Sequence, residues 1–507
     1  MQQAIHIFRK DVRHLWLELS AVLFLTAAFC FVGARRSLAL DVPGTERTAA
    51  WALVTFLLPL SWWILIARLI HDEALPGDSQ FWITRPYNRK SLLGAKLLFI
   101  LCFTNLPILI SDAVILNAYH LAPFAELPGL LWSQVLLTIV FLLPIVVLSA
   151  LTTGFVQLLV AILVAWLAGL VVTIAAPDLV LALPSGYGWI NAYFAFIVIG
   201  LAAVVILIWQ YRRRGTAAGR AFAVMAGVLI LAGAVFFPWS DAFRIQSWLS
   251  NTRVSQSAVQ ASPDSQKNWL DRAEVQGDGS LHLELPIAIT RLPLGMVAKV
   301  EGFSLQLRAP DGTAREVRQL PLNHPSEVNQ EFSVTATLDR GFYQKVKDEP
   351  LAVRGRLYLT LFGNRHVARV PFSNRFVRVP NVGECEASQV PGKRSYFVIC
   401  NSAFRAPPVL TSVRFIETSA NSAFPGLTPG SPPAGISYSP LPAEPGIDPV
   451  SQAISLSPPA ISLSPNSSDI TGAVVDTQEP LIHLERTFEL GNLRLRDLEQ
   501  RGLSASR

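Results

Sequence analysis

The sequence predicts a polytopic α-helical membrane bundle of about seven spans followed by a β-rich, sandwich-like extracytoplasmic domain. Three observations predict it. Hydrophobic residues make up 51% of the 507-residue chain and charged residues 15%, against about 25% charged in soluble globular proteins. The deficit is local: the first 240 residues carry 15 Lys/Arg and 10 Asp/Glu, the other 267 carry 27 and 26. After Ser240 the long apolar runs give way to period-two alternation. The chain divides into five segments: a transmembrane region (1–240), a juxtamembrane linker (241–275), a β-rich region (276–420), a Pro/Ser/Gly-rich stretch (421–478), and a returning strand with a tail (479–507).

A span needs about 20 mostly apolar residues. Candidates run from Leu15 to Gly33, Ala49 to Leu69 and Leu97 to Ala118. The apolar stretch from Gly129 to Ala176 is about twice the hydrocarbon thickness as one helix, so two spans share it, with Thr152-Thr153-Gly154 as the turn. Trp189–Trp209 and Ala221–Phe237 complete the set. The first run is long for a signal peptide and no A-x-A site follows it before Arg35, so it reads as a retained span.

Orientation follows from the cations in alternate loops. One side receives Arg9, Lys10, Arg13, Arg68, Arg85, Arg89, Lys90, Lys96, Arg212, Arg213, Arg214 and Arg220; the other receives Arg35, Arg36 and Arg47. The N-terminus and the His71–Lys96 connection are therefore predicted to be cytoplasmic, in an inner cell membrane, with everything after Ser240 outside or periplasmic. The net positive charge reads as loop charge that orients the chain. It does not read as a nucleic-acid surface.

In the outer half, Leu281–Ile289, Val300–Ala309, Glu331–Leu338 and Val353–Gly363 alternate as strands, with shorter ones at HVARVPF, NRFVRVP and RSYFVIC. Asp241–Val275 is polar enough to hold a short helix leaving the membrane, and IHLERTFELGNLRL reads as a returning strand. Cys30 and Cys102 fall in spans as packing residues. Cys385 and Cys400 fall on neighbouring strands of a region expected in an oxidising compartment, which makes a disulfide the expectation and two buried thiols the alternative.

Enzyme signatures are missing. There is no G-x-x-x-x-G-K-[ST], no G-x-S-x-G and no H-E-x-x-H. His71-Asp72-Glu73 are adjacent and point apart on a helix, so they do not converge on a metal. Asp112 lies in the third span after Asn105, Pro107 and Ser111. A carboxylate there marks a substrate path or proton relay, or else reaches the interface or a neighbouring helix. An intramembrane enzyme would need a second polar group beside Asp112, and no second carboxylate lies at that depth.

The connection HDEALPGDSQFWITRPYNRKSLLGAK carries its own punctuation. Asp78 or Ser79 can cap a short helix through Gln80–Thr84, Pro86 holds Arg85 extended and ends it, and Asn88 or Ser91 caps the next helix. The result is a short amphipathic helix bearing Phe81 and Trp82, with Arg85, Arg89 and Lys90 around it. It could also rest on the bilayer as an anchor. This arrangement resembles the permeases of ABC exporters of the second type, on three matches in order: a basic N-terminal segment IHIFRKDVRHLW, the pattern FWITRPYNRK, and the entry LLGAK. The resemblance covers about residues 5–240. It implies a coupling helix docked on a separate ATPase chain, with Glu73, Gly77, Phe81, Trp82, Thr84, Arg85, Pro86 and Arg89 at or beside the contact. It also implies a P-loop ATPase partner holding ATP and Mg, a second permease chain, identical or related, and no catalytic residue or cofactor in this chain. The usual family core has six spans and both termini inside; a further span and an exported β-rich domain depart from it. The rival expectation is a membrane-anchored binding or sensory protein whose outer domain acts alone.

Overall fold

The computed structural model describes residues 2–36, 46–72, 89–175, 188–213, 216–236, 239–250, 259–263, 273–319, 331–372, 375–389, 396–404, 409–417, 435–438, 449–456 and 470–496. The chain opens with an amphipathic helix, α1 (Gln2–His14). Ala4, Ile7, Phe8, Asp11 and Val12 recur at three- and four-residue steps and pack inward, while Arg9, Lys10 and Arg13 face out. Next come α2 (Trp16–Arg36) and α3 (Glu46–His71). They meet through Phe29 stacked on Trp51, ring centroids 5.0 Å apart. Gly33 allows close approach: a Cβ on it would lie 3.1 Å from Trp51 and 2.7 Å from Ile115 of the later helix Leu106–Ala118.

Two long helices then carry internal π-turns. Helix α4 (Arg89–Ile100) passes through a π-turn at Leu101–Asn105 into α5 (Leu106–Ala118). Helix α6 (Leu127–Leu137) passes through a second at Thr138–Leu142 into α7 (Leu143–Leu151). Both have the same cause. Proline clashes with the carbonyl four residues before it, and Pro107 and Pro144 place that clash at Phe103 and Val140, inside the widened turns. The five-residue bonds Leu106 N–H to Leu101 O and Leu143 N–H to Thr138 O take up the extra residue.

The break expected at Thr152–Gly154 is present: Thr152 is extended (φ −112°, ψ 147°). Helix α8 (Phe155–Ala175) comes next, and Gln157 reaches back to accept from the Thr153 N–H at 2.8 Å. Helices α9 (Gly188–Arg213), α10 (Thr216–Phe236) and α11 (Trp239–Leu249) complete the helical part. Among the described residues six segments are long and apolar enough to cross a membrane: Trp16–Arg35, Ala49–His71, Ser91–Ala118, Leu127–Leu151, Ala192–Gln210 and Thr216–Gly233; Phe155–Val171 is a shorter apolar helix. The large apolar side chains exposed along them, such as Phe24, Phe56, Val156 and Trp166, suit contact with lipid.

From Gln260 the chain is strand-rich. The strands are β1 (Gln260–Pro263), β2 (Ala273–Val275), β3 (Leu281–Thr290), β4 (Val297–Arg308), β5 (Ala314–Gln319), β6 (Glu331–Leu338), β7 (Leu351–Pro371), β8 (Val377–Val379), β9 (Gly383–Gln389), β10 (Tyr396–Ala403), β11 (Leu410–Glu417), β12 (Gly435–Tyr438), β13 (Val450–Leu456) and β14 (Ile470–Leu493). A short helix, α12 (Arg340–Val346), precedes β7 and is capped by Asp339, whose side chain accepts from the Phe342 N–H. All pairings described are antiparallel, in three sheets: β1-β3-β2 with β6 also on β3, β13-β10-β9-β8, and a six-stranded β12-β11-β14-β7-β4-β5. The long β7–β14 pair runs through two cores. Leu283, Leu285 and Ile287 of β3 join Leu357, Leu359, Ile482 and Leu484 in one. Val398 and Cys400 of β10 join Val370, Ala473 and Val475 in the other.

Two sequence expectations change here. Val353–Gly363 and HVARVPF are one strand, β7, because Asn364 takes a left-handed conformation (φ 51°) and the register slips at a bulge instead of turning. Asn364 Nδ2 donates to Glu479 at 3.2 Å across that slip. The returning strand begins at Ile470, inside the stretch read as Pro/Ser/Gly-rich; the linker holds β1 and β2 besides the short helix expected there, α11, which starts just before it at Trp239.

Cys385 and Cys400 sit opposite each other on β9 and β10 and form a disulfide. The crosslink spans a sequence separation of 15, worth about 3 kcal/mol in the chain-entropy view. Denatured without reductant, the protein should therefore expose two alkylatable thiols, Cys30 and Cys102, rising to four after reduction. An alkylation mass shift counts them, and four before reduction contradicts the pairing.

Helix α11 lies on the outer face of the β7–β14 pair. Phe243 meets Tyr358 and His483 edge-on at 5.2 and 5.8 Å, and Ser247 Oγ donates to His483 O at 2.7 Å. A buried polar row crosses the sheet beneath it: Lys299 is paired with Thr360, and Thr360 with His483, whose Nδ1 is 3.0 Å from the Thr360 hydroxyl. Lys299 also contacts Glu301 at 3.0 Å. Burial pushes the His483 pKa from 6.5 down to about 4. The fold accepts the neutral ring, so its contribution is complete above pH 6.5 and is lost as pH falls from 6.5 towards 4, by about 3 kcal/mol. Chemical unfolding of wild type against His483→Gln across that window should show a smaller acid loss in the variant; equal losses contradict it.

Candidate functional site

Two regions of the helical part hold buried polar chemistry, one at an end and one at mid-depth. At the end, Asp11 of α1 and Lys96 of α4 form a salt bridge of 2.8 Å, and both are buried. Phe8 packs beside it against Phe99 and Phe103, with centroids at 6.1 and 5.8 Å. Three more contacts gather at the same end: Glu18 pairs with Arg68, His14 lies 3.3 Å from Asp72, and His71 Nε2 is 3.1 Å from Thr152 Oγ1. Arg220 donates to the Leu151 carbonyl at 3.1 Å. The Glu18–Arg68 and His14–Asp72 pairs are partly exposed and contribute little. Asp11–Lys96 differs, because removing one partner strands a charge away from water.

That end carries the predicted coupling stretch. Glu73, Gly77, Phe81, Trp82, Thr84, Arg85 and Pro86 lie outside the described residues, and Arg89 is the first residue of α4. The stretch is flanked by α3 on its N-terminal side and, on its C-terminal side, by α4, the helix to which α1 is pinned.

At mid-depth, the last residue of the first π-turn meets the first residue of the second: Asn105 Nδ2 donates to Thr138 Oγ1 at 2.8 Å. Asn105 Nδ2 also donates to Gln134 Oε1 at 3.4 Å, Gln134 Nε2 donates to Asp112 Oδ2 at 3.3 Å, and Thr138 Oγ1 donates to the Gln134 carbonyl at 2.8 Å. Asp112 is buried, with Ser111 and Cys30 beside it. One partner is an amide on the next helix, that of Gln134. The i, i+7 pair Asn105/Asp112 and the i, i+4 pair Gln134/Thr138 each share a helix face, and that spacing is the sequence signal for Gln134 and Thr138, neither of which is an acid.

The two π-turns flank a groove of about 540 Å³ with Asn105, Gln134 and Thr138 among its lining and Leu101, Leu106, Leu131 and Val135 at its half-exposed rim. Single π-turns recur at functional sites. Among the described residues no group of His, Cys, Asp and Glu is placed to hold a metal.

Comparison with known proteins yields no match: no family model, no curated protein and no solved structure is similar to the chain.

At the opposite end the strand-rich region seats on the bundle. Phe404 packs where a Cβ on Gly129 would lie 2.8 Å away, Val450 joins the helical core, and His120 meets Phe376 at 4.8 Å.

The Asp11–Lys96 pair gives a direct prediction. Lys96→Met should cost about 3–5 kcal/mol, and Asp11→Leu combined with Lys96→Met should recover most of it. Thermal unfolding in mild detergent measures both; a double variant no better than the single one contradicts the burial argument.

Proposed function

We propose that the chain is the membrane-spanning subunit of an ATP-driven exporter of the ABC type, working with a separate P-loop ATPase chain that holds ATP and Mg. The junction of α1 with α4 carries this reading. The buried Asp11–Lys96 bond and the Phe8–Phe99–Phe103 cluster tie the N-terminal helix to the first turns after the TRPYNRK stretch, so a push on that stretch moves two elements as one. The residues Glu73, Gly77, Phe81, Trp82, Thr84, Arg85, Pro86 and Arg89 are assigned to the ATPase contact by resemblance. Two such subunits, identical or paired with a relative, would pack side by side, and the switch between inward- and outward-facing states would lie in that packing.

The same reading takes Phe155–Ala175 as a further crossing, which makes seven, with the basic end in the cytoplasm and the strand-rich region outside as β-sandwich layers around its two cores. The partners are the ATPase, the second membrane chain and lipid, not nucleic acid. A second reading, an anchored binding or sensory protein, draws on the size of the strand-rich region and its seating on the bundle through Phe404 and α11.

Affinity purification of the full chain from mild detergent separates the two. The transport reading expects a P-loop ATPase, identified by mass spectrometry, to co-purify, and Phe81→Ala with Arg85→Ala to remove it while the membrane chain stays folded. A wild-type preparation with no ATPase, and an outer region that binds its ligand alone, would favour the sensor.

A further inference from the structure

We infer that the groove between the two π-turns binds a neutral amphiphile with one hydroxyl group, which enters sideways from the bilayer. Depth comes first. Asn105 lies near the middle of Ser91–Ala118, and Thr138 near the middle of Leu127–Leu151. A molecule arriving there through lipid crosses hydrocarbon, where a charged group is costly. The rim is apolar and half exposed, offered by Leu101, Leu106, Leu131 and Val135. A volume of about 540 Å³ falls within the usual range of small-molecule sites, roughly 300–1,000 Å³.

The lining is almost wholly apolar, and the few polar atoms at its floor select the head group. A side-chain amide has two donor hydrogens and an acceptor oxygen. Asn105 Nδ2 uses its hydrogens on Thr138 and Gln134, and Gln134 Nε2 uses one on Asp112. Among the described residues, Asn105 Oδ1 and the second Nε2 hydrogen of Gln134 receive no partner: one acceptor and one donor. An alcohol supplies the complement with a single oxygen, donating to Asn105 and accepting from Gln134. An alkane supplies neither. A fatty acid would bring a second carboxyl group near Asp112, which disfavours its ionised form. The polar groups stay in register because both π-turns are fixed by Pro107 and Pro144, so the site is built before the ligand arrives. This binding does not rest on the transport reading, since a groove open to lipid would serve an anchored sensor equally.

The test is photolabelling of the full chain in nanodiscs with a diazirine-bearing C12 fatty alcohol, followed by peptide mapping. Label should concentrate on peptides containing Leu101–Leu109 and Leu131–Ile139, above the lipid-facing reference helix Phe155–Val171. Unlabelled dodecanol should compete about tenfold better than dodecane, the factor expected for a net hydrogen-bond gain near 1.4 kcal/mol. Asn105→Leu should equalise the two competitors. Val135→Trp, which fills the groove from its rim and leaves the amides in place, should abolish saturable labelling with the reference helix unchanged. Label that does not saturate, or alcohol and alkane competing equally in wild type, overturns the inference. So does an unlabelled groove in a preparation crosslinked as a dimer through α5 and α6, which would place a second copy of the chain there.

Discussion

The bilayer core offers no water, so each polar group placed there must be met by protein. The Asn105–Thr138 bond is where this constraint acts on the fold. It joins two helices at the points where proline has widened them, and it draws Gln134 and Asp112 into one connected set. Without it, Asn105 and Thr138 would each lose a hydrogen bond that joins the two π-turns across the groove.

A second continuity runs the length of the same helix. From Arg89 through the π-turn to Ala118 the chain is helical, and at about 1.5 Å per residue it is more than long enough to cross a bilayer. At one end it is pinned to α1 by Lys96; just past the other, His120 touches Phe376 of the strand-rich region. That region is held a second time where α11 lies across β7 and β14. A force applied near Arg89 therefore has a packed route to both the groove and the strand-rich region. The π-turns are the natural places for such a helix to bend, because the local hydrogen-bond ladder is already altered there.

Much of the architecture could be read from residue patterns. Span lengths, the break at Thr152, the long alternating strands and the pairing of Cys385 with Cys400 agree with what apolar run length, alternation and the expected compartment implied. The misreadings were local. Gly363-Asn364-Arg365 has turn composition, yet Asn364 tolerates a left-handed conformation and the strand passes through it as a bulge. The extent of β14 was hidden because pairing with β7 and β11, not its own composition, sets where it begins. The site was less legible. Asp112 stands out in the sequence as a lone carboxylate, whereas Gln134, an amide that bonds to it, carries no acid signature. The Asp11–Lys96 bond joins residues 85 positions apart, which no local pattern reveals.

Sidedness is what the transport reading needs most, because a force-receiving stretch must face the compartment that holds ATP. In a protein with Cys30 and Cys102 replaced by alanine, a single cysteine at the stretch (Ser79→Cys) can be probed with a membrane-impermeant maleimide in right-side-out vesicles, with Leu294→Cys in the exposed β3–β4 turn as the opposite marker. Labelling of the Leu294 site in sealed vesicles, and of the Ser79 site only after they are opened, is the expected result. Labelling of the Ser79 site in sealed vesicles would put the stretch outside and contradict an ATPase docking there.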